Sequence, residues 1–195
     1  MASTIPVLFT ASFPAGSGWN PGKAWAGVML NSATGTNPEA NGSGDPLNYV
    51  AVFDRKNPNA GPVFQGNATN NTTVQAGLDQ YLTTDYLMFW ASAAFVTSMP
   101  QGALYDMLNQ NGGASQLQKM EMLSTKFACG INGGLVYLLA SIPNSGVEGV
   151  EFLAQQSLST SQGKDPDYAY ENAPFQMLLE LIPSPNGMYS VVDPY

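Results

Sequence analysis

The sequence predicts an α+β fold, in which a mainly antiparallel N-terminal β-sheet packs against a helix-rich C-terminal half. Three observations predict it. Apolar residues alternate at period two near the N-terminus, and from about Leu78 the spacing becomes helical. The two kinds of element are also segregated along the chain, which favours α+β over an alternating α/β order. The expected arrangement is one domain, 1–195, β-rich over about 1–76 and helix-rich over about 77–183. The Asn/Gly/Thr-rich stretch at 57–73 is the sole candidate boundary, and each side of it is small for an independent core.

The elements follow in order. Ile5, Val7, Phe9, Ala11 and Phe13 fall on one face of a strand, with Pro6, Leu8, Thr10 and Ser12 on the other. Residues 24–31 and 48–54 make two further strands, the second apolar on both faces and so suited to being covered twice. Short pieces at Pro62–Gln65 and Thr72–Gln75 complete the expected sheet. The run Tyr86–Met99 is apolar nearly all round and predicts a buried central helix stopped by Pro100, with Trp90 in the core. Ser115-Gln-Leu-Gln118 has capping-box spacing ahead of Leu117, Met120, Ser124 and Phe127. Leu135–Ile142 fits strand or helix. A second capping signature, Ser145-Gly-Val-Glu148, predicts a helix containing Val150, Leu153 and Ala154, in which Gly149 is a weak point. Phe175, Leu178, Leu179 and Ile182 follow at helical spacing between Pro174 and Pro183.

Composition removes whole classes of chemistry. The 195 residues include 14 Asp+Glu, 6 Lys+Arg and no histidine, for a net charge of −8. Without histidine there is no chain-contained Ser-His-Asp or Cys-His mechanism and no imidazole metal site. With Cys129 as the only cysteine there is no intrachain disulfide or thiolate cluster. Six scattered cations give no basic footprint, so no nucleic-acid partner is expected, and attraction to anionic membranes is disfavoured. The start, Met-Ala-Ser-Thr-Ile-Pro, has no cleavable signal pattern, which predicts a cytoplasmic or signal-independently exported chain.

Several candidate sites remain. Trp19 and Asn20 lie in a Gly/Pro-rich loop that can present an indole and an amide to a glycan. Asp165, Asp167 and Glu171, interleaved with Tyr168 and Tyr170, form the densest acidic cluster. A solvated acidic loop and no cofactor are expected there, with calcium as the alternative that the carboxylates would suit, and the tyrosines suit stacking on sugar rings. Glu148 and Glu151 stand one helical turn apart if helical, as a pair dividing acid and base work would require. Asn41, Asn67, Asn70 and Asn71 match the glycosylation acceptor pattern, a frequent coincidence in an Asn/Thr-rich chain.

Few charges, long neutral loops and ample apolar residues favour a non-enzymatic binding or self-assembly protein, because interfaces are depleted in Lys and Glu. A homo-oligomer or larger assembly is the expected partner state. Three other readings stand beside it. They are a carbohydrate-binding module, a carboxylate-dependent hydrolase, and a membrane-active pore-forming protein that releases Tyr86–Met99 from its core.

Overall fold

The computed structural model describes residues 3–12, 25–31, 34–36, 47–68, 70–127, 133–157 and 175–194. Among the described residues ten strands form two antiparallel sheets. The strands are β1 (Ile5–Ser12), β2 (Trp25–Leu30), β3 (Thr34–Thr36), β4 (Leu47–Asp54), β5 (Pro62–Ala68), β6 (Tyr86–Phe95), β7 (Gly133–Ser141), β8 (Val150–Ser157), β9 (Phe175–Pro183) and β10 (Tyr189–Val192). The first sheet has the order β10-β9-β1-β2-β3 and the second β5-β4-β6-β7-β8. Two α-helices, α1 (Ala103–Gln110) and α2 (Ser115–Thr125), are present among the described residues. None of the described helices is long and apolar enough to cross a membrane.

The sheets pack face to face and the helices cover the outer side of the second sheet. Val7 and Phe9 of β1, Val28 of β2 and Leu179 of β9 meet Tyr49, Phe53, Phe89 and Leu138 of the second sheet. Phe89 receives Phe9 and Phe53 edge-on, each with ring centroids 5.6 Å away. A second core lies between the other face of that sheet and the helices, where Val52, Met88, Trp90, Tyr137 and Leu139 pack with Leu104, Leu108, Leu117 and Met120.

Arg55 ties the two sheets together at one end. Its Nε donates to Tyr189 O at 2.7 Å, one terminal nitrogen donates to Thr84 O at 2.6 Å, and the other donates to Ser190 Oγ at 3.2 Å. The Tyr189 amide answers by donating to Arg55 O at 2.8 Å.

The N-terminal strands follow their alternation, and β1, β2, β4 and β5 lie where the sequence places strands. Thr72–Gln75 is instead a loop, fastened by the Asn70 side chain, which accepts from the Thr72 and Thr73 amides at 2.8 Å each. The helix-rich C-terminal half is wrong: this is a mostly-β protein. Tyr86–Phe95 is the central strand β6, paired with β4 and β7. Its residues Leu87, Phe89, Ala91 and Ala93 enter the inter-sheet core, while Met88, Trp90 and Ala94 enter the helix-side core. A strand covered on both faces loses its polar alternation, and so reads like a buried helix.

The same correction applies further along. Phe175–Pro183 is β9, because Met177, Leu179 and Leu181 are the residues that become buried. The spacing of Phe175, Leu178, Leu179 and Ile182 satisfies a helical period only because two outward residues of this strand, Leu178 and Ile182, are apolar as well. Ser145–Glu148 belongs to the β7–β8 turn, where Asn144 and Gly146 take positive φ of 53° and 71°.

Candidate functional site

The clearest polar constellation surrounds Glu151. Residues on β8 alternate faces, so Glu151 and Leu153 turn toward the helices while Val150 and Phe152 border the inter-sheet core. The Glu151 carboxylate meets the start of α2. Its Oε1 accepts from the Ala114 amide at 2.9 Å, the Leu117 amide at 3.0 Å and the Tyr137 hydroxyl at 2.7 Å. Its Oε2 accepts from the Gln116 amide at 3.0 Å.

This arrangement caps a helix from a distant strand. A helix start leaves amides without internal partners and carries a partial positive charge, both of which a carboxylate satisfies. A helix does follow the capping-box signature, but Ser115 is its first helical residue with Ala114 at the cap position, and no capping-box bond forms. Glu148 is exposed in the turn, and Glu151 is engaged by four donors. What these contacts do chemically is to fix α2 and the loop before it against β7 and β8.

Tyr137 is fully buried, and its burial, followed by the negative charge of Glu151, pushes its hydroxyl pKa well above the ordinary value. A group whose pKa is higher when folded stabilises the fold at pH below its unfolded value. That stability is lost as pH rises toward the folded value. The expected loss begins near pH 10 and proceeds at about 1.4 kcal/mol per pH unit. Denaturant midpoints measured from neutral to strongly alkaline pH check this, since Tyr137→Phe should remove that part of the slope. An identical slope in Tyr137→Phe would refute the assignment.

Trp19, Asn20, Asp165, Asp167, Tyr168, Tyr170, Glu171 and Cys129 all lie outside the described residues. Among the described residues no group of three or more His, Cys, Asp or Glu side chains could hold a metal ion. Trp90 is core, as its surroundings suggest: it is fully buried, and its Nε1 donates to Ser92 Oγ at 2.8 Å.

A second feature is the outer face of the first sheet. Leu8 pairs with Met29 on one side and Leu178 on the other, which lays three apolar side chains in one row across β9, β1 and β2. Leu178 is 54% exposed and Met29 43%. Ile182, on the same face of β9, is also 43% exposed. Pro6, Leu8, Met29, Leu178 and Pro194 line a shallow groove of about 340 Å³ with Glu180 at its side. Sequence reasoning placed Leu8 on the outward face of its strand but missed the row, because Leu178 was assigned to a helix. No family model, curated protein or solved structure matches the chain.

Proposed function

We propose that the chain is a non-enzymatic self-assembly protein, and that a second copy packs on the outer face of its first sheet. The observation that carries this is the row Leu178–Leu8–Met29, with its two outer members exposed and Leu8 half-buried between them. Apolar side chains aligned across three strands offer a flat contiguous surface, the kind that marks an interaction site when left in water. Charge selects the partner. Glu180 is the one ionisable side chain among the described outward positions of this face, in a chain of net charge −8. A basic partner would find little here to pair with, whereas two such faces related by a two-fold axis match each other without any complementary charge.

Sedimentation velocity across a concentration series tests the reading. The mass should rise with concentration and rise further with added salt, which screens repulsion between two acidic copies. Leu178→Glu should weaken association by about tenfold or more, because it places a charge at the centre of the contact. A species that stays monomeric at the highest concentration, or an association indifferent to Leu178→Glu, would overturn it.

A further inference from the structure

Among the described residues the two sheets have four edge strands, and three of them are guarded. β3 has 3 residues and β10 has 4, too few to template a long pairing. β5 opens with Pro62, and its register with β4 shifts between Val52 and Phe53. Short length, proline and bulges are the devices by which native sheets prevent edge-to-edge pairing.

β8 has none of these devices. Its 8 residues, Val-Glu-Phe-Leu-Ala-Gln-Gln-Ser, contain no proline, glycine or lysine and pair with β7 without a register break. Among the described residues no strand lies on its other side. Its single charge, which would normally discourage pairing, is drawn toward α2 by the amides and hydroxyl that bind Glu151.

We infer that β8 is a strand-addition surface, and that its partner is β8 of a second copy, joined antiparallel about a two-fold axis. The inference deepens the assembly reading, and rests on it in taking a second copy as partner, but it uses a different surface. Self-pairing is electrostatically acceptable here. In an antiparallel self-pair centred on Leu153 or on Ala154, Glu151 faces Gln155 or Ser157 of the other copy, so no acid opposes an acid. A two-fold axis perpendicular to the sheet keeps like faces together, so the second sheet continues through both molecules. The face contact belongs to the first sheet and this one to the second. Two different symmetric contacts on one chain build an assembly larger than a dimer, either a closed dihedral one or an open array according to how the two axes are related.

Single cysteines scanned from Phe152 to Gln155 in a Cys129→Ser background, and repeated with Leu178→Glu, test this surface. Oxidative cross-linking should peak at one position and fall on both sides, because an antiparallel self-pair brings only its central residue against its own copy. Val147→Cys, on the exposed turn, sets the level of random collision. A flat profile no higher than that control would overturn the edge contact. If salt-sensitive association persisted in such a case, the face reading would still stand. Retained cross-linking with reduced association in Leu178→Glu would support the edge as a separate surface. Hydrogen exchange of the unsubstituted chain avoids any folding defect in the variants. The β8 amides should exchange more slowly as concentration rises, and rates independent of concentration would count against the pairing.

Discussion

Glu151→Ala is expected to destabilise the fold by about 2–3 kcal/mol, the range for leaving several part-buried donors without their charged acceptor. The loss exceeds that of an ordinary cap because one carboxylate serves three amides of the α2 start and the hydroxyl of buried Tyr137. Deleting it orphans all four donors at once. Glu151→Gln should be milder yet still damaging, since its amide nitrogen would confront at least one backbone N–H, which can only donate. Equilibrium urea unfolding of Glu151→Ala, Tyr137→Phe and the double variant measures the coupling directly. If Glu151→Ala cost less than about 1 kcal/mol, the usual scale of a single surface cap, the network would not be holding the helix.

Gly149→Ala is the second large expected effect, and its sign distinguishes strand from helix. A glycine inside a helix would be improved by alanine by about 1 kcal/mol. Here an added Cβ would stand 2.6 Å from Leu139 Cδ1, 2.8 Å from Ala140 O and 2.8 Å from Ser141 Cβ. The backbone is pinned as well, since the Gly149 amide donates to Gly112 O at 2.8 Å. Two of those three neighbours are fixed by the β7 backbone and cannot swing away, so a loss of about 2–4 kcal/mol follows from overpacking. Gly146→Ala is the control. Gly146 has a φ of +71° but no atom near an added Cβ, so its cost should be limited to about 1–2 kcal/mol of backbone strain. Thermal or urea unfolding of the pair decides the matter, and a stabilised Gly149→Ala would refute the close packing.

How much of this was legible in the sequence depended on whether a residue's partners were local. The alternation of Ile5, Val7, Phe9 and Ala11 reports one buried face, and β1 is where it was expected. β6 was misread because the helices cover the second sheet on its outer side, so both faces of its central strand are dry. No feature of Tyr86–Phe95 taken alone separates a doubly covered strand from a core helix, and the 14-residue apolar run Tyr86–Met99 favoured the helix. β9 was misread for the opposite reason. Its outer face carries Leu178 and Ile182 beside the polar Gln176 and Glu180, and those two apolar residues completed a spurious helical stripe.

The site was less legible still. Ser115 carries the local signature of a cap, yet the amides behind it bind a carboxylate 34 to 37 residues further along. That bond depends on β8 lying beside β7, which no pattern within the helix announces. The outer row was similarly invisible, since Leu8, Met29 and Leu178 become neighbours only through strand pairing. The loop residues Trp19 and Asn20 and the acidic cluster from Asp165 to Glu171 drew attention by composition, and none of them enters the described geometry.

The strand orders also set a timetable for the ribosome. The strands of the second sheet, β4 to β8, are consecutive in the chain, and they can collapse together with α1 and α2 while synthesis continues. The first sheet cannot close on that schedule. β1 emerges early, yet one of its two neighbours is β9, with Phe9 opposite Met177. Until β9 has been made, β1 must wait with one edge unpaired, and the inner face of the second sheet lacks its full cover. Such long-range pairing makes folding slow and the waiting intermediate sticky, so a nascent chain of this kind should gain yield from slower translation or from a chaperone that shields β1.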